Sequence, residues 1–151
     1  YEYTIVEHGG LTFFTLDADY ELEVTSSQDV PALTVETTFP DADPYFTNLS
    51  SMDNVSPSGF TLEWTGTSNG DVTINLLGAG AETIPTLSFT TANDGYHTFT
   101  ANDLTGLQGP MIAVEMIYGT ETPINATGYD SRSTIVVRTY TILQLSFTDD
   151  S

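Results

Sequence analysis

The chain has 151 residues, of which 39% are hydrophobic and 11% aromatic, so it is long and apolar enough to fold around a hydrophobic core. Its 21 acidic residues are opposed by two basic ones, Arg132 and Arg138, and the formal net charge is -19. Because nucleic acids and anionic membrane surfaces are bound through basic patches, this charge excludes both as partners.

A period-two alternation of apolar and polar residues runs through most of the chain, whereas no helical period is sustained. In chain order, the predicted strands cover residues 1–5, 11–16, 20–24, 33–39, 60–65, 72–77, 87–90, 96–100, 111–118 and 135–147. Turn-forming residues separate these segments about every 8–12 residues, a spacing that favours an antiparallel β-sandwich. A single helical turn is predicted near residues 101–104. The chain is therefore predicted to be all-β, with roughly ten strands in a single domain, residues 1–151.

Three consecutive segments carry a resemblance to a known family. They read Phe-Thr-Leu-Glu-Trp-Thr-Gly at 60–66, Gly-Asp-Val-Thr-Ile-Asn-Leu-Leu at 70–77 and Thr-Ala-Asn-Asp-Gly-Tyr-His-Thr-Phe-Thr at 91–100. This pattern resembles the immunoglobulin-like domain of fungal cell-wall glucan-assembly proteins and of many bacterial and archaeal surface proteins, except that Phe99 stands where that family has Trp.

The resemblance covers about Tyr45–Phe147 and implies an immunoglobulin-like core at 45–151, a cell-surface setting and no catalytic residues. The expected fold is thus an antiparallel β-sandwich of the immunoglobulin-like or jelly-roll type. Residues 1–44 precede the resemblance and are predicted to add N-terminal strands, which either widen the sandwich or pair with a neighbouring molecule.

An extracellular location is predicted from two features of the sequence. The numbering starts at Tyr1 instead of Met, as expected after removal of a signal peptide. Asn-x-Ser/Thr motifs, the acceptors of N-glycosylation in secreted proteins, occur at Asn48, Asn54 and Asn125. The longest apolar run falls far short of the ~20 residues of a membrane helix, which predicts that the chain does not span a membrane.

Two short patterns resemble parts of a serine-esterase site but lack its context, a nucleophile elbow at 66–70 and an oxyanion-hole loop at His8-Gly9-Gly10. Gly66-Thr-Ser68-Asn-Gly70 has the spacing of a nucleophile elbow, which requires a strand before the serine and a helix after it. A strand is predicted after this serine instead, so Ser68 is interpreted as part of a polar hairpin loop. His8 and His97 are the only histidines and fall on different predicted hairpins. No catalytic residue is therefore predicted, and the protein is not expected to be an enzyme.

Closely spaced carboxylates are the best candidates for a binding site. Asp17, Asp19 and Glu21 form one run, and Asp41 and Asp43 form another. Calcium takes six to eight oxygen ligands, which such carboxylates and loop carbonyl groups can supply, so these five residues form a candidate calcium site. The alternative is that they are solvated turn residues, since Asp is common in turns. A carboxylate pair could also hydrolyse glycosides, but that reaction requires a cleft between the two groups.

We expect the protein to be a structural subunit of an extracellular assembly, such as a filament, pilus or surface layer, built from copies of the same chain. In segment 1–7, Tyr1, Tyr3 and Ile5 alternate with polar residues, and the flexible pair Gly9-Gly10 follows. This pattern is expected of a strand that swings out and pairs with a neighbouring subunit. The alternative for this segment is the first strand of its own sandwich.

The alternative function is a carbohydrate-binding or adhesion module whose partner is a polysaccharide. Trp64 alternates with Phe60 and Leu62, so it is predicted to lie in the core and not on a sugar-binding platform. Exposed tyrosines near loops could stack on a sugar ring. The candidates are Tyr45, Tyr118 and Tyr129.

Overall fold

A computed structural model describes residues 17–26, 31–79 and 86–148 of the chain. Within these ranges the chain forms strands joined by turns, and no α-helix is present. The all-β class predicted from the alternation is confirmed. The described part of the chain contains no helix that is long and apolar enough to cross a membrane.

The described residues form ten strands, most of which match predicted segments. Their bounds are β1 Asp19–Val24, β2 Leu33–Thr38, β3 Tyr45–Phe46, β4 Asn54–Val55, β5 Gly59–Thr65, β6 Asp71–Ala79, β7 Thr86–Ala92, β8 Tyr96–Thr100, β9 Met111–Pro123 and β10 Thr134–Phe147. The strands predicted at 1–5 and 11–16 lie outside the described residues. The sequence pattern does not predict β3 and β4, because two residues are too few to show an alternation.

The strands form three sheets. The largest has the order β4-β10-β9-β6-β7, the second has the order β3-β5-β8, and the third is the β1-β2 hairpin. Neighbouring strands are antiparallel except β4 and β10, which run parallel. The longest pairing joins β9 and β10, with Thr134 opposite Pro123 at one end and Ser146 opposite Met111 at the other.

The five-stranded and three-stranded sheets share one hydrophobic core. Alternate residues of β6 and β9 are buried, as the period of two requires, and they pack with Leu62, Trp64 and Phe99 of the second sheet. Leu145 and Phe147, at the end of β10, belong to the same cluster. The predicted core position of Trp64 is confirmed, since this residue is 4% exposed.

The β1-β2 hairpin packs outside this core, against the far end of β9 and the loop that follows it. Leu33 and Ile124 are buried here but do not belong to the main cluster. The side-chain hydroxyl groups of Thr37 and Thr122 are hydrogen-bonded to each other at 3.0 Å. Hydrogen bonds between hydroxyl groups therefore contribute to holding the hairpin in place.

Residues 66–70 cross from one sheet to the other. Because β5 belongs to the three-stranded sheet and β6 to the five-stranded sheet, this connection is not the hairpin loop expected from the sequence. Gly66 has a φ of 76°, and a Cβ there would lie 2.7 Å from the Asp43 carbonyl oxygen, so the crossing requires glycine at this position. The crossing places Ser68 beside β9, where it meets Tyr118.

Candidate functional site

The carboxylates of the candidate calcium site are engaged in different local contacts. Asp19 is exposed on β1 and accepts a hydrogen bond from Thr38 Oγ1 at 2.6 Å. Asp41 instead accepts a hydrogen bond from Tyr118 Oη at 2.6 Å. In the described ranges, no three His, Cys, Asp or Glu side chains come together in a way that could hold a metal ion. The structure therefore gives no support to a calcium site. Calcium binding stays a prediction at the five candidate residues, Asp17, Asp19, Glu21, Asp41 and Asp43.

The three glycosylation motifs lie in different surroundings. The Asn48 side chain extends the β5 ladder, because its Oδ1 accepts from the Glu63 N–H (2.8 Å) and its Nδ2 donates to the Thr61 carbonyl oxygen (2.9 Å). Asn54 lies in the short strand β4, and Asn125 is exposed in the loop between β9 and β10. A glycan would disturb existing hydrogen bonds least at Asn125. Glycosylation itself stays a prediction at all three positions.

A chain of hydrogen bonds runs from the core to the surface through Ser68. Asn93, which is 1% exposed, accepts from Trp64 Nε1 (2.7 Å) and donates from Nδ2 to Ser68 Oγ (3.1 Å). Ser68 Oγ donates to Tyr118 Oη (2.7 Å), which in turn donates to Asp41 Oδ1 (2.6 Å). The chain of bonds therefore connects β5, the crossing, β9 and the segment that follows β2.

As described, this network does not have the composition of a Ser-His nucleophilic site. Burial, followed by the hydrogen bond to Asp41, raises the pKa of Tyr118 above its ordinary value of 10.0. In the described part of the chain, Ser68 Oγ is hydrogen-bonded to Tyr118, Asn93 and the Gly70 N–H, and none of these is a histidine that could take its proton. His97 is half-buried, with its ring centroid 4.6 Å from that of Phe99. His8 lies outside the described residues.

The tyrosines considered for sugar stacking differ in exposure. Tyr45 is 58% exposed, but Tyr118 is buried in the hydrogen-bond chain and Tyr129 is half-buried. Two other rings are open to solvent on strands, Tyr96 at 58% and Tyr140 at 54% exposure. The sequence analysis did not single these out, because alternation alone does not say which face of a strand is covered.

One side of β10 is largely without a strand partner among the described residues. On that side β4 pairs with β10 only at 146–147, so the described residues supply no strand opposite 134–145. Even-numbered residues direct their backbone groups to this side, because the Met52 N–H donates to the Gln144 carbonyl oxygen there (2.7 Å) and backbone direction alternates along a strand. On this side the Gln144 carbonyl group is thus already bonded to Met52, whereas the row of backbone groups of the even-numbered residues from 134 to 142 has no backbone partner among the described residues.

Apolar side chains are exposed next to this row. Val136, Tyr140 and Ile142 lie on the outer face of β10 and are 43%, 54% and 64% exposed. An edge strand that combines available backbone groups with exposed apolar side chains is a template for pairing with another chain. Its expected partner, the segment with Tyr1, Tyr3 and Ile5, lies outside the described residues.

Comparison of the chain with protein-family models, with curated proteins and with solved structures finds no match. The resemblance to the immunoglobulin-like domain therefore stays a prediction. What the protein does is inferred below from its own geometry.

Proposed function

We propose that the protein is a structural subunit of an extracellular assembly and that copies join by strand addition along the side of β10 that faces away from β9, its free side with respect to the described residues. The observation that carries this proposal is the length of β10, residues 134–145, for which the described residues provide no strand partner. Strand addition requires such a side, because the added segment binds through main-chain N–H and C=O groups.

The proposed occupant is the segment 1–7 of a neighbouring copy. A strand rises about 3.3 Å per residue, so this segment would span about 23 Å and fit within the free length of β10. Its sequence has the alternation of a half-buried strand, and beside β10 one face of it would cover part of Tyr140 and Ile142. Pairing of this kind is head-to-tail, and it produces an open filament unless the rotation between copies closes a ring.

The net charge of the chain determines the ionic strength at which copies are expected to associate. Chains that each carry a net charge of -19 repel one another, and salt at about 0.1 M screens such repulsion over a distance of about 10 Å. We therefore expect copies to associate at moderate to high ionic strength and to separate when the salt is removed.

The edge is tested by a substitution that removes one backbone donor. Ile142 is an even-numbered residue, so Ile142→Pro removes an N–H on the free side and leaves the β9 ladder in place. Ile142→Thr is the matched control, because it trims the same side chain and keeps the N–H. In high salt, sedimentation velocity and negative-stain microscopy should show polymers for the wild type and Ile142→Thr, and monomers with an unchanged circular dichroism spectrum for Ile142→Pro.

A second experiment tests whether segment 1–7 is the strand that pairs with β10. Deletion of residues 1–8 should give a folded monomer, and a synthetic peptide of those residues should bind it in a ratio of one to one. If the deletion unfolds the monomer, or if the shortened chain still polymerises, the segment does not join subunits. A wild-type chain that stays monomeric at every ionic strength would overturn the proposed function.

A further inference from the structure

A notch crosses the exposed face of the five-stranded sheet at Gly119 of β9. Arg138 of β10 is the pairing partner of Gly119, and on the other side of β9 lies β6, where Thr73 pairs with Ile117. Asp71 precedes Thr73 by two residues, so Asp71 and Arg138 flank Gly119 from opposite strands. A Cβ at Gly119 would lie 2.5 Å from a carbonyl oxygen of β10 and 2.8 Å from Arg138 Cγ, so a side chain cannot fill the notch.

The notch is small and open, and its lining combines charged, hydroxyl and apolar groups. Its volume is about 190 Å³. Its lining includes Asp71, Thr73, Ile117, Thr120, Glu121 and Arg138. Sites for drug-sized molecules have volumes of about 300–1,000 Å³, so this notch has room for a smaller unit such as one sugar ring.

Arg138 keeps its hydrogen-bonding capacity in this notch. Within the described residues the only ion pair joins Arg132 to Asp130 at 3.0 Å, and Arg138 forms none although Asp71 and Glu121 line the same notch. A guanidinium group offers five N–H donors, and a carboxylate accepts at both of its oxygens. Donors and acceptors therefore lie together around Gly119 without neutralising each other.

An exposed aromatic ring stands beside the notch. Tyr140 lies two residues after Arg138 on the same face of β10 and pairs with Ile117, one of the two large apolar residues of the lining, the other being Val136. The Tyr140 side chain is 54% exposed, so part of its ring is available to a ligand. Aromatic rings of this kind present an apolar body next to polar groups.

We infer that this notch binds one ring of a neutral polysaccharide that crosses the exposed face of the sheet. Sugar hydroxyl groups both donate and accept, which matches the donors of Arg138 and the acceptors of Asp71 and Glu121. The C–H face of a neighbouring ring packs on Tyr140. An anionic ligand is disfavoured by both carboxylates and by the net charge of -19.

The inference is tested by electrophoresis of the full chain in native gels that contain soluble β-glucan, xylan, mannan or dextran. At least one of these polysaccharides should retard the wild type, and the dependence on its concentration gives Kd. Arg138→Gln and Tyr140→Ala should each raise Kd at least tenfold. Arg132→Gln and Tyr96→Ala are the matched controls, because they remove the other arginine and a similarly exposed ring on the other sheet, and both should be retarded like the wild type.

Three results would overturn the inference: no retardation by any of the polysaccharides, retardation unchanged in Arg138→Gln and Tyr140→Ala, or an equal loss in the two controls. Chemical-shift changes around Gly119 with glycine betaine but with no polysaccharide would point to a zwitterionic ligand instead. The two proposals can fail separately, because Ile142→Pro should remain monomeric and still be retarded by the polysaccharide, whereas Arg138→Gln should still polymerise in high salt although the polysaccharide does not retard it in low salt.

Discussion

Two regions of the molecule are held together by different interactions. In the five-stranded and three-stranded sheets, buried apolar side chains form one continuous cluster. In the hairpin region, which comprises β1, β2, the far ends of β9 and β10 and the loop between them, the large aliphatic residues that are buried outside that cluster are Leu33 and Ile124. Threonine hydroxyl groups supply further contacts there, such as the bond from Thr120 Oγ1 to the Thr38 carbonyl oxygen (2.8 Å).

Strand β9 passes through both regions, and the burial of its side chains shows where the core region ends. Met111–Tyr118 alternates between half-buried and buried residues, whereas 119–123 alternates between exposed and half-buried ones. The period of two continues unchanged, so the difference arises from what covers the strand and not from its conformation. Because a net hydrogen bond contributes about 1 kcal/mol and a fully buried large apolar side chain about 1.5–3 kcal/mol, we expect the hairpin region to open before the core does.

The largest effect is expected in the core, from Trp64→Ala. Truncation of this buried ring should lower the free energy of unfolding by about 3–5 kcal/mol, and it also removes the donor that Asn93 Oδ1 uses. Urea unfolding followed by far-ultraviolet circular dichroism measures the loss. Tyr96→Ala is the control, since truncation of an exposed ring should change stability by less than about 0.5 kcal/mol. An unchanged midpoint for Trp64→Ala would show that Trp64 is not a core residue.

A smaller effect is expected at the boundary, from Tyr118→Phe. Loss of the hydroxyl group breaks the bonds with Ser68 and Asp41 and should cost about 1 kcal/mol near neutral pH. Because the pKa of Tyr118 is raised in the folded state, the unfolded chain releases this proton first as the pH rises past 10.0. The wild type therefore loses stability above that pH, and its advantage over Tyr118→Phe should narrow.

The measurement compares urea midpoints of the two proteins near neutral pH and at alkaline pH. Tyr45→Phe serves as the control, because it removes the same hydroxyl group from an exposed ring. An advantage that stays constant into the alkaline range would mean that the Tyr118 proton is not held by the fold.

The smallest effect is expected in the hairpin region, from a change of charge. Glu21 of β1 pairs with Glu36 of β2, and both side chains are exposed on the same face. Like charges opposite each other are unfavourable, so Glu36→Lys should stabilise by about 0.2–1 kcal/mol, and high salt should reduce the gain. The gain in stability is measured by hydrogen exchange of the β1 amides and by the melting temperature. Glu63→Lys makes the same charge change on the three-stranded sheet. If it slows exchange of the β1 amides equally, the gain arises from the net charge and not from the Glu21–Glu36 pair.

The sequence predicts most strands of the core because one face of each is buried. Alternation in β5 and β9 follows directly from that burial, and it also places Trp64 inside. Alternation does not predict the burial of Asn93, which stands in an Asn-Asp-Gly turn where exposure is expected. Asn93 is buried because the crossing at Ser68 returns over it, a contact between segments far apart in the sequence.

The notch at Gly119 likewise depends on contacts that the local sequence does not predict. Glycine inside a strand is a local signal that another group approaches closely, and Gly119 carries that signal. Nothing local connects it with Asp71 or Arg138, which meet it only through the register of three strands. The free side of β10 likewise depends on strand order, which alternation does not encode.

In a filament of the proposed kind, the long pairing of β10 with β9 would also determine how each subunit carries mechanical load. A filament joined along β10 would be pulled in the direction of that strand, whereas the β9–β10 hydrogen bonds run perpendicular to it. Tension therefore shears the whole ladder from Thr134 to Ser146, and its bonds share the load. A force that peels β10 sideways opens the same bonds one after another. Such a filament would resist stretching strongly and yield to peeling.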